Sequence, residues 1–379
     1  MKQRAGESYE DFRVRANAAD RRRYHERKWQ VSKEVRNGEG DIISFTTVPE
    51  REPFKQLDGA ALKRRSTLVD AEGNVIQSWM IENAEEKERW SMLREQLDEM
   101  KRELPRLPTI PMPDTDINRD WLFSIPIGDH HVGMLSWKYE TGASYDVDIA
   151  EALLAAGTDY LVDPAPACEH CLLAFLGDFV HYDSMDPKTP QHGNILDSDG
   201  RKAKIVRAAS RMMRRMIQKA AAKFMFVHVI LEFGNHDPDA TLWLGEMMRT
   251  LYEDNPRITI DSSPGSYHYY QFGKNMIATH HGDKKKVVDA GLPGLIAARN
   301  PKMWGDTTHR VIWTGHIHHR QAIEYPGCTV ESMRVLPPND AYSHMMGYQS
   351  ERGMKSVIFR RQGGEIASAR FHPEMMEMS

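Results

Sequence analysis

From about residue 119 onward the chain repeats one arrangement. A short apolar run ends, and glycine follows with aspartate, asparagine or histidine close by. Five such runs are Leu122–Ile127, Leu172–Leu176, Phe224–Leu231, Met276–Thr279 and Arg310–Trp313, and two further apolar runs, Val357–Arg361 and Ile366–Phe371, lie near the end of the chain. Runs this short, bounded by turn residues, read as buried strands. Between them, helical periodicity falls near 147–162, 201–223, 239–253 and 289–299. Strands alternating with helices predict an α/β domain whose last part is β-rich. Gly363-Gly364 supplies its final hairpin turn.

Upstream the character differs. Residues 8–36 predict a basic helix with Phe12, Ala16, Ala19 and Tyr24 as a weak apolar face. Ile42–Phe45 and Ser66–Val69 predict short strands, and the turn at 70–74 leads into Val75–Ile81 as a hairpin. Residues 84–104 predict an amphipathic helix with Trp90, Leu93, Leu97, Met100 and Leu104 on one side. The stretch LPRLPTIPMP then puts a proline at almost every third position, a stiff connector. The expected organisation is an N-terminal α+β region over 1–104, a linker over 105–118 and a catalytic domain over 119–379.

Composition narrows the class. No apolar run of about 18 residues is present, and MKQRAGESYEDFRVR lacks the apolar core of a signal peptide. Three cysteines cannot build a disulfide framework, so a reducing cytoplasm is the expected location. Cys168-Glu-His-Cys171 alone does not make a zinc site, and Cys171 at the start of an apolar strand reads as a buried thiol. Net charge is −4, yet residues 201–223 carry nine Lys/Arg and no acid. An outward face formed by Lys204, Arg207, Arg211, Arg214 and Arg215 suggests a polyanion, and DNA is the expected partner. No membrane contact is expected, while the N-terminal region is a candidate surface for self-association or for a partner protein.

The chemistry lies at five strand ends. After the first run come Asp129 and His131; after the second, Gly177-Asp178-Phe-Val-His181; after the third, Gly234-Asn235-His236-Asp237. His280-His281-Gly282-Asp283 follows the fourth, and Gly315-His316-Ile-His318-His319 the fifth. Any one histidine could be an ordinary surface or core residue. Five coincidences at strand carboxyl ends, where open α/β sheets place their sites, point to a metal centre. Oxygen and imidazole donors without thiolate suit Mn²⁺, Mg²⁺, Fe or Zn²⁺.

This ordered set (Asp-x-His, Gly-Asp-x-x-His, Gly-Asn-His-Asp, His-Gly, Gly-His-x-His) resembles the calcineurin-like metallophosphoesterase superfamily over roughly residues 120–372. The resemblance implies a four-layer α-β-β-α sandwich of two mixed sheets. It implies two divalent ions, Mn²⁺ foremost, with Asp129, His131 and His318 on the first and Asn235, His281 and His316 on the second. Asp178 would bridge them, and a hydroxide between the ions would attack phosphorus. His236 would protonate the leaving oxygen, with His181 assisting it. Gly-Asp-Phe-Val-His is similar to the SbcD-type exonucleases and break-repair nucleases, and the layout is similar to phage and prophage members. The expected activity is a phosphodiesterase or exonuclease on DNA. Its alternatives are hydrolysis of a small nucleotide, or a recruitment protein that keeps the metal site as structure.

Overall fold

A computed structural model describes residues 29–36, 42–49, 62–69, 75–82 and 117–376. The chain falls into two units, Met1–Pro105 and Arg106–Ser379. In the first, β1 (Trp29–Arg36) pairs antiparallel with β2 (Ile42–Pro49), and β3 (Leu62–Val69) with β4 (Val75–Glu82). The second pairing is the expected hairpin. The first corrects the expected helix over 8–36, because Trp29–Arg36 is a strand. Its Trp29, Val31 and Val35 are residues that favour strands once a partner is available, and β2 supplies that partner. Residues 1–28, the helix over 84–104 and the proline-rich stretch up to 116 lie outside the described residues.

The second unit is a four-layer α-β-β-α sandwich. One sheet has six strands in the order β15-β14-β5-β6-β7-β8, built from β5 (Asn118–Ile127), β6 (Cys168–Phe175), β7 (Phe226–Leu231), β8 (Ile258–Asp261), β14 (Met354–Arg360) and β15 (Gly364–Phe371). β5 to β8 run parallel, and β14 and β15 are antiparallel additions. The other sheet has five, β12-β13-β11-β10-β9, from β9 (His268–Phe272), β10 (Asn275–His280), β11 (His309–Thr314), β12 (Gln321–Tyr325) and β13 (Cys328–Ser332). Both sheets are mixed.

Side-chain alternation explains the layers. Along β6, Cys171, Leu173 and Phe175 face one core, while Leu172 and Ala174 face another. The first core lies beneath three helices, α2 (Val147–Val162), α3 (Lys202–Lys223) and α4 (Pro238–Tyr252). The second joins Leu122, Leu172 and Ile230 of one sheet to Phe272, Ile277 and Trp313 of the other. A third backs the five-stranded sheet with α5 (Leu292–Arg299) and α6 (Pro301–Asp306). Burial on both faces is why these strands are unbroken apolar runs. Two short helices, α1 (Lys138–Thr141) and α7 (Ala341–Met345), lie in the loops. No helix among the described residues is long and apolar enough to cross a membrane.

Candidate metal centre

Every ligand expected from the sequence sits just beyond the carboxyl end of its strand. Asp129 and His131 follow β5, Asp178 follows β6, Asn235 and His236 follow β7, His281 follows β10, and His316 and His318 follow β11. The fold brings them into two groups. Asp129, His131 and His318 offer donor atoms all within 4.8 Å of one another, as do Asp178, His281 and His316. Each group draws on both sheets. The structure separates His281, which is in the second group, from His280, which stacks on Tyr267 and faces Ser266.

The backbone here is unusual. Four non-glycine residues among those described have positive φ: His131 at 46°, Asp178 at 48°, His316 at 69° and His318 at 56°. All four belong to the two groups. Left-handed backbone costs an L-residue about 1–3 kcal/mol and persists where surrounding structure dictates it. Glycine lets the loops close in. A Cβ on Gly234 would collide with the Asp178 carboxylate, and one on Gly315 with that of Asp129.

Hydrogen bonds fix the rings. His281 Nδ1 donates to the Leu176 carbonyl at 2.8 Å, which leaves Nε2 beside Asp178 at 3.2 Å and the Asn235 Oδ1 at 3.0 Å. Both Asp129 oxygens accept the His316 amide at 3.0 Å. His318 Nε2 lies 3.0 Å from Asp129 Oδ2 and 3.2 Å from His131 Nε2. Burial opposes charge on Asp178 and His281. Their mutual attraction prevails, holding the Asp178 pKa well below and the His281 pKa well above their usual values. Burial is also the main cause of the lowered His131 pKa. Converging carboxylate and imidazole lone pairs, with no thiolate among them, fit hard or borderline divalent cations.

His236 donates from Nδ1 to the His181 carbonyl at 3.0 Å, and its amide donates to Asp178 Oδ1 at 2.7 Å. The His181 side chain instead faces His131, Nδ1 to Nδ1, at 3.3 Å. His130 and His319, unassigned by the motifs, stand apart. His130 is buried and its Nε2 lies 3.1 Å from the Ala150 carbonyl, whereas His319 is exposed. Asp237 is the residue the motifs named without a role. It is fully buried, its oxygens accept the amides of Asp178 and Val180, and burial beside the Asp178 charge pushes its pKa up to about 7. A carboxylate directly after Asn-His was its only signal.

The basic helix α3 differs from the expectation in its pairing. Lys204 meets Asp199 at 2.9 Å, Arg211 meets Glu151 at 2.7 Å, and Arg215 meets Asp159 at 2.9 Å. Glu151 and Asp159 belong to α2, so the neighbouring helix supplies the acids that 201–223 lacks. Arg207 and Arg214 are half-buried. The three cysteines are free and buried, with burial pushing the Cys168 and Cys328 thiols up to about 11.

No family model matches the chain, and neither does any curated protein. Among solved structures, a conserved protein of Streptococcus pneumoniae TIGR4 described as a predicted phosphoesterase is similar at 11% identity and TM-score 0.30, over 67% of this chain and 99% of that one. Vps29 from Chaetomium thermophilum is similar at 10% identity and TM-score 0.28, over 66% and 98%. Vps29 complexed with zinc, from Entamoeba histolytica, is similar at 10% identity and TM-score 0.27, over 66% and 98%.

Proposed function

We propose that this chain is a dinuclear metal-dependent phosphoesterase, with its catalytic unit in residues 119–379, joined through 105–118 to an N-terminal region. The observation that carries this reading is the coincidence of backbone strain with ligand chemistry. The four left-handed non-glycine residues described are all donors of the two ligand groups. Asp129, His131 and His318 would hold one ion; Asp178, His281 and His316 the other, with Asn235 beside His281. Two such cations supply neutralisation of phosphate charge and acidification of a water at phosphorus.

The chain's own groups supply the rest. Because His236 Nδ1 is committed to the His181 carbonyl, Nε2 is the atom that can pass a proton to the departing ester oxygen. The Asp178 carboxylate ties this residue to the centre by accepting the His236 amide. His316 and His318, one residue apart, serve different groups because both adopt the left-handed backbone around Ile317.

Phosphoester hydrolysis is assigned without a polynucleotide substrate. A DNA substrate drew its argument from unmatched charge on α3, and Lys204, Arg211 and Arg215 are matched. The helix precedes β7 and β7 carries the site at its far end, so the site end of α3 is its N-terminus. Arg211 and Arg215 therefore lie about 14 Å and about 20 Å along it from Lys202.

The test is hydrolysis of a chromogenic phosphodiester by metal-stripped protein, before and after adding Mn²⁺. Hydrolysis that appears with Mn²⁺ and vanishes with chelator is expected. Two bound ions without hydrolysis of any phosphomonoester or diester would overturn the enzyme in favour of a recruitment protein. A panel of duplex DNA, single strands, RNA and small nucleotides then assigns the substrate.

A further inference from the structure

The His181 side chain has no place in the chemistry just described, since His236 is held by its backbone carbonyl. It is nevertheless buried, and its Nδ1 points at the Nδ1 of His131. The approach is set by backbone pairing. The amides of His130 and His131 donate to the Asp178 carbonyl, that of Val132 donates to Phe179, and that of His181 donates back to Val132. The loops after β5 and β6 are thus laced together, and the two rings meet edge to face with centroids 5.2 Å apart.

The consequence follows from proton counting. A neutral imidazole carries one N–H, and the nitrogen that binds a cation must offer its lone pair. His131 Nε2 is the atom that faces His318 and shares the first ligand group. Its proton must then sit on Nδ1, inside a residue that is 3% exposed, where an unmet donor would cost about 1–3 kcal/mol. The acceptor facing that proton is His181 Nδ1.

We infer that His181 is a positioning residue for the first metal: its Nδ1 accepts the His131 Nδ1 proton, fixing the tautomer and ring angle that present His131 Nε2 to the ion. The inference rests on the metal-centre reading above and divides one residue between two duties. The carbonyl of His181 orients His236; its ring orients His131. A ring held in this way makes a better ligand, and loss of such a partner typically costs about 10–100-fold in metal affinity.

His131, His181 and His236 also offer nitrogens within 4.8 Å of one another, so His181 could instead hold an ion itself. Substitutions separate the two roles. Asparagine places an acceptor oxygen near the position of Nδ1. Glutamine carries its oxygen one bond further, and leucine removes the acceptor while filling the space.

The experiment is calorimetric titration of metal-stripped protein with Mn²⁺ alone, alongside thermal unfolding of each metal-free variant. The parent should bind two ions. His181→Leu should weaken one site about 10–100-fold and spare the other. His181→Asn should restore that site to within a few-fold of the parent. Should the leucine variant not fold, His181→Gln takes its place and should show the same single-site loss. Parental affinity at both sites in the leucine or glutamine variant would overturn the inference. Equal loss in His181→Asn would overturn it too, making His181 a ligand. A parent that binds no ion refutes the metal centre itself, and that result is read before any variant.

Discussion

The Asp237 carboxylate grips the loop that carries Asp178, accepting the backbone amides of Asp178 at 3.1 Å and Val180 at 2.8 Å. Asp237→Ala leaves two buried donors unmet, at about 1–3 kcal/mol each. The variant should unfold at lower urea and lose affinity for one ion. Asp237→Asn keeps one acceptor oxygen and should fall between the variant and the parent. Urea midpoints and metal stoichiometry check this, and parental values for both in Asp237→Ala would show that other bonds hold the loop.

Asp178→Asn tests the carboxylate at the centre of the second group. Its Oδ2 lies beside His281 and its Oδ1 accepts the His236 amide. Removing the negative charge should abolish most turnover and at least one bound ion. Near-normal turnover with two ions would contradict its role.

His236→Ala separates chemistry from metal binding. Turnover should fall by about 10²–10⁴-fold, the span expected of general acid–base help. Metal content should not change, because His236 stands outside the two Asp-containing groups and is bonded to Asp178 through its amide. Metal loss would make the ring a ligand.

These contacts also show what was legible in the sequence and what was not. Five strands buried on both faces wrote themselves as apolar runs that end in a ligand, so the donor set is legible, whereas the two-sheet sandwich follows only from the family those ligands resemble. β8, β9 and β12 escape such a reading because they are sheet edges with polar or mixed faces, and the central β13 escapes it because Thr329, Glu331 and Ser332 break its apolar run. The β12–β13 hairpin did leave a signal, since Pro326-Gly327 turns the chain with Gly327 at a φ of 92°. The pairing of α3 with α2 was invisible because Arg211 and Glu151 are 60 residues apart. A charge run has no meaning until its neighbour is known. The motif makes His181 a helper of His236, but which of its atoms does the helping depends on loop pairing that no motif encodes.

Acid should destabilise the fold through His130. Burial lowers its pKa from 6.5 to about 4, and its ring packs on Phe179. Because the folded value lies below the unfolded one, the native state binds fewer protons than the unfolded chain between pH 6.5 and about 4. Stability therefore falls as pH drops through that window, by up to about 3 kcal/mol from this residue. His130→Phe should flatten this limb of the urea-midpoint profile. An unchanged slope would assign the acid sensitivity to other groups.

Reversing Arg211 and Arg215 to Glu sets like charges against Glu151 and Asp159 on α2. Exposed pairs of this kind contribute about 0.2–1 kcal/mol each, so a small loss of stability is expected. Cleavage of a small diester should be unaffected. The salt dependence of any DNA binding should also stay as in the parent. A log–log slope that flattens by about 0.9 per lost phosphate contact would instead show that α3 exchanges its acidic partners for a polynucleotide.

The two sheets meet through a layer of hydrocarbon, and hydrophobic contact has no preferred direction. At one end of that layer, each ligand group takes Asp from the six-stranded sheet and His from the five-stranded one. An ion in either group would therefore be a pin through both leaves of the sandwich, adding to the polar ties, such as Lys355 to Glu331 at 2.6 Å, that already cross between them. Binding energy at the centre then becomes folding energy. At a free ion concentration 100 times the dissociation constant, the gain is about 2.7 kcal/mol per site. Calorimetric melting at rising Mn²⁺ should show the transition climb, as each ion ties both leaves to the folded state alone.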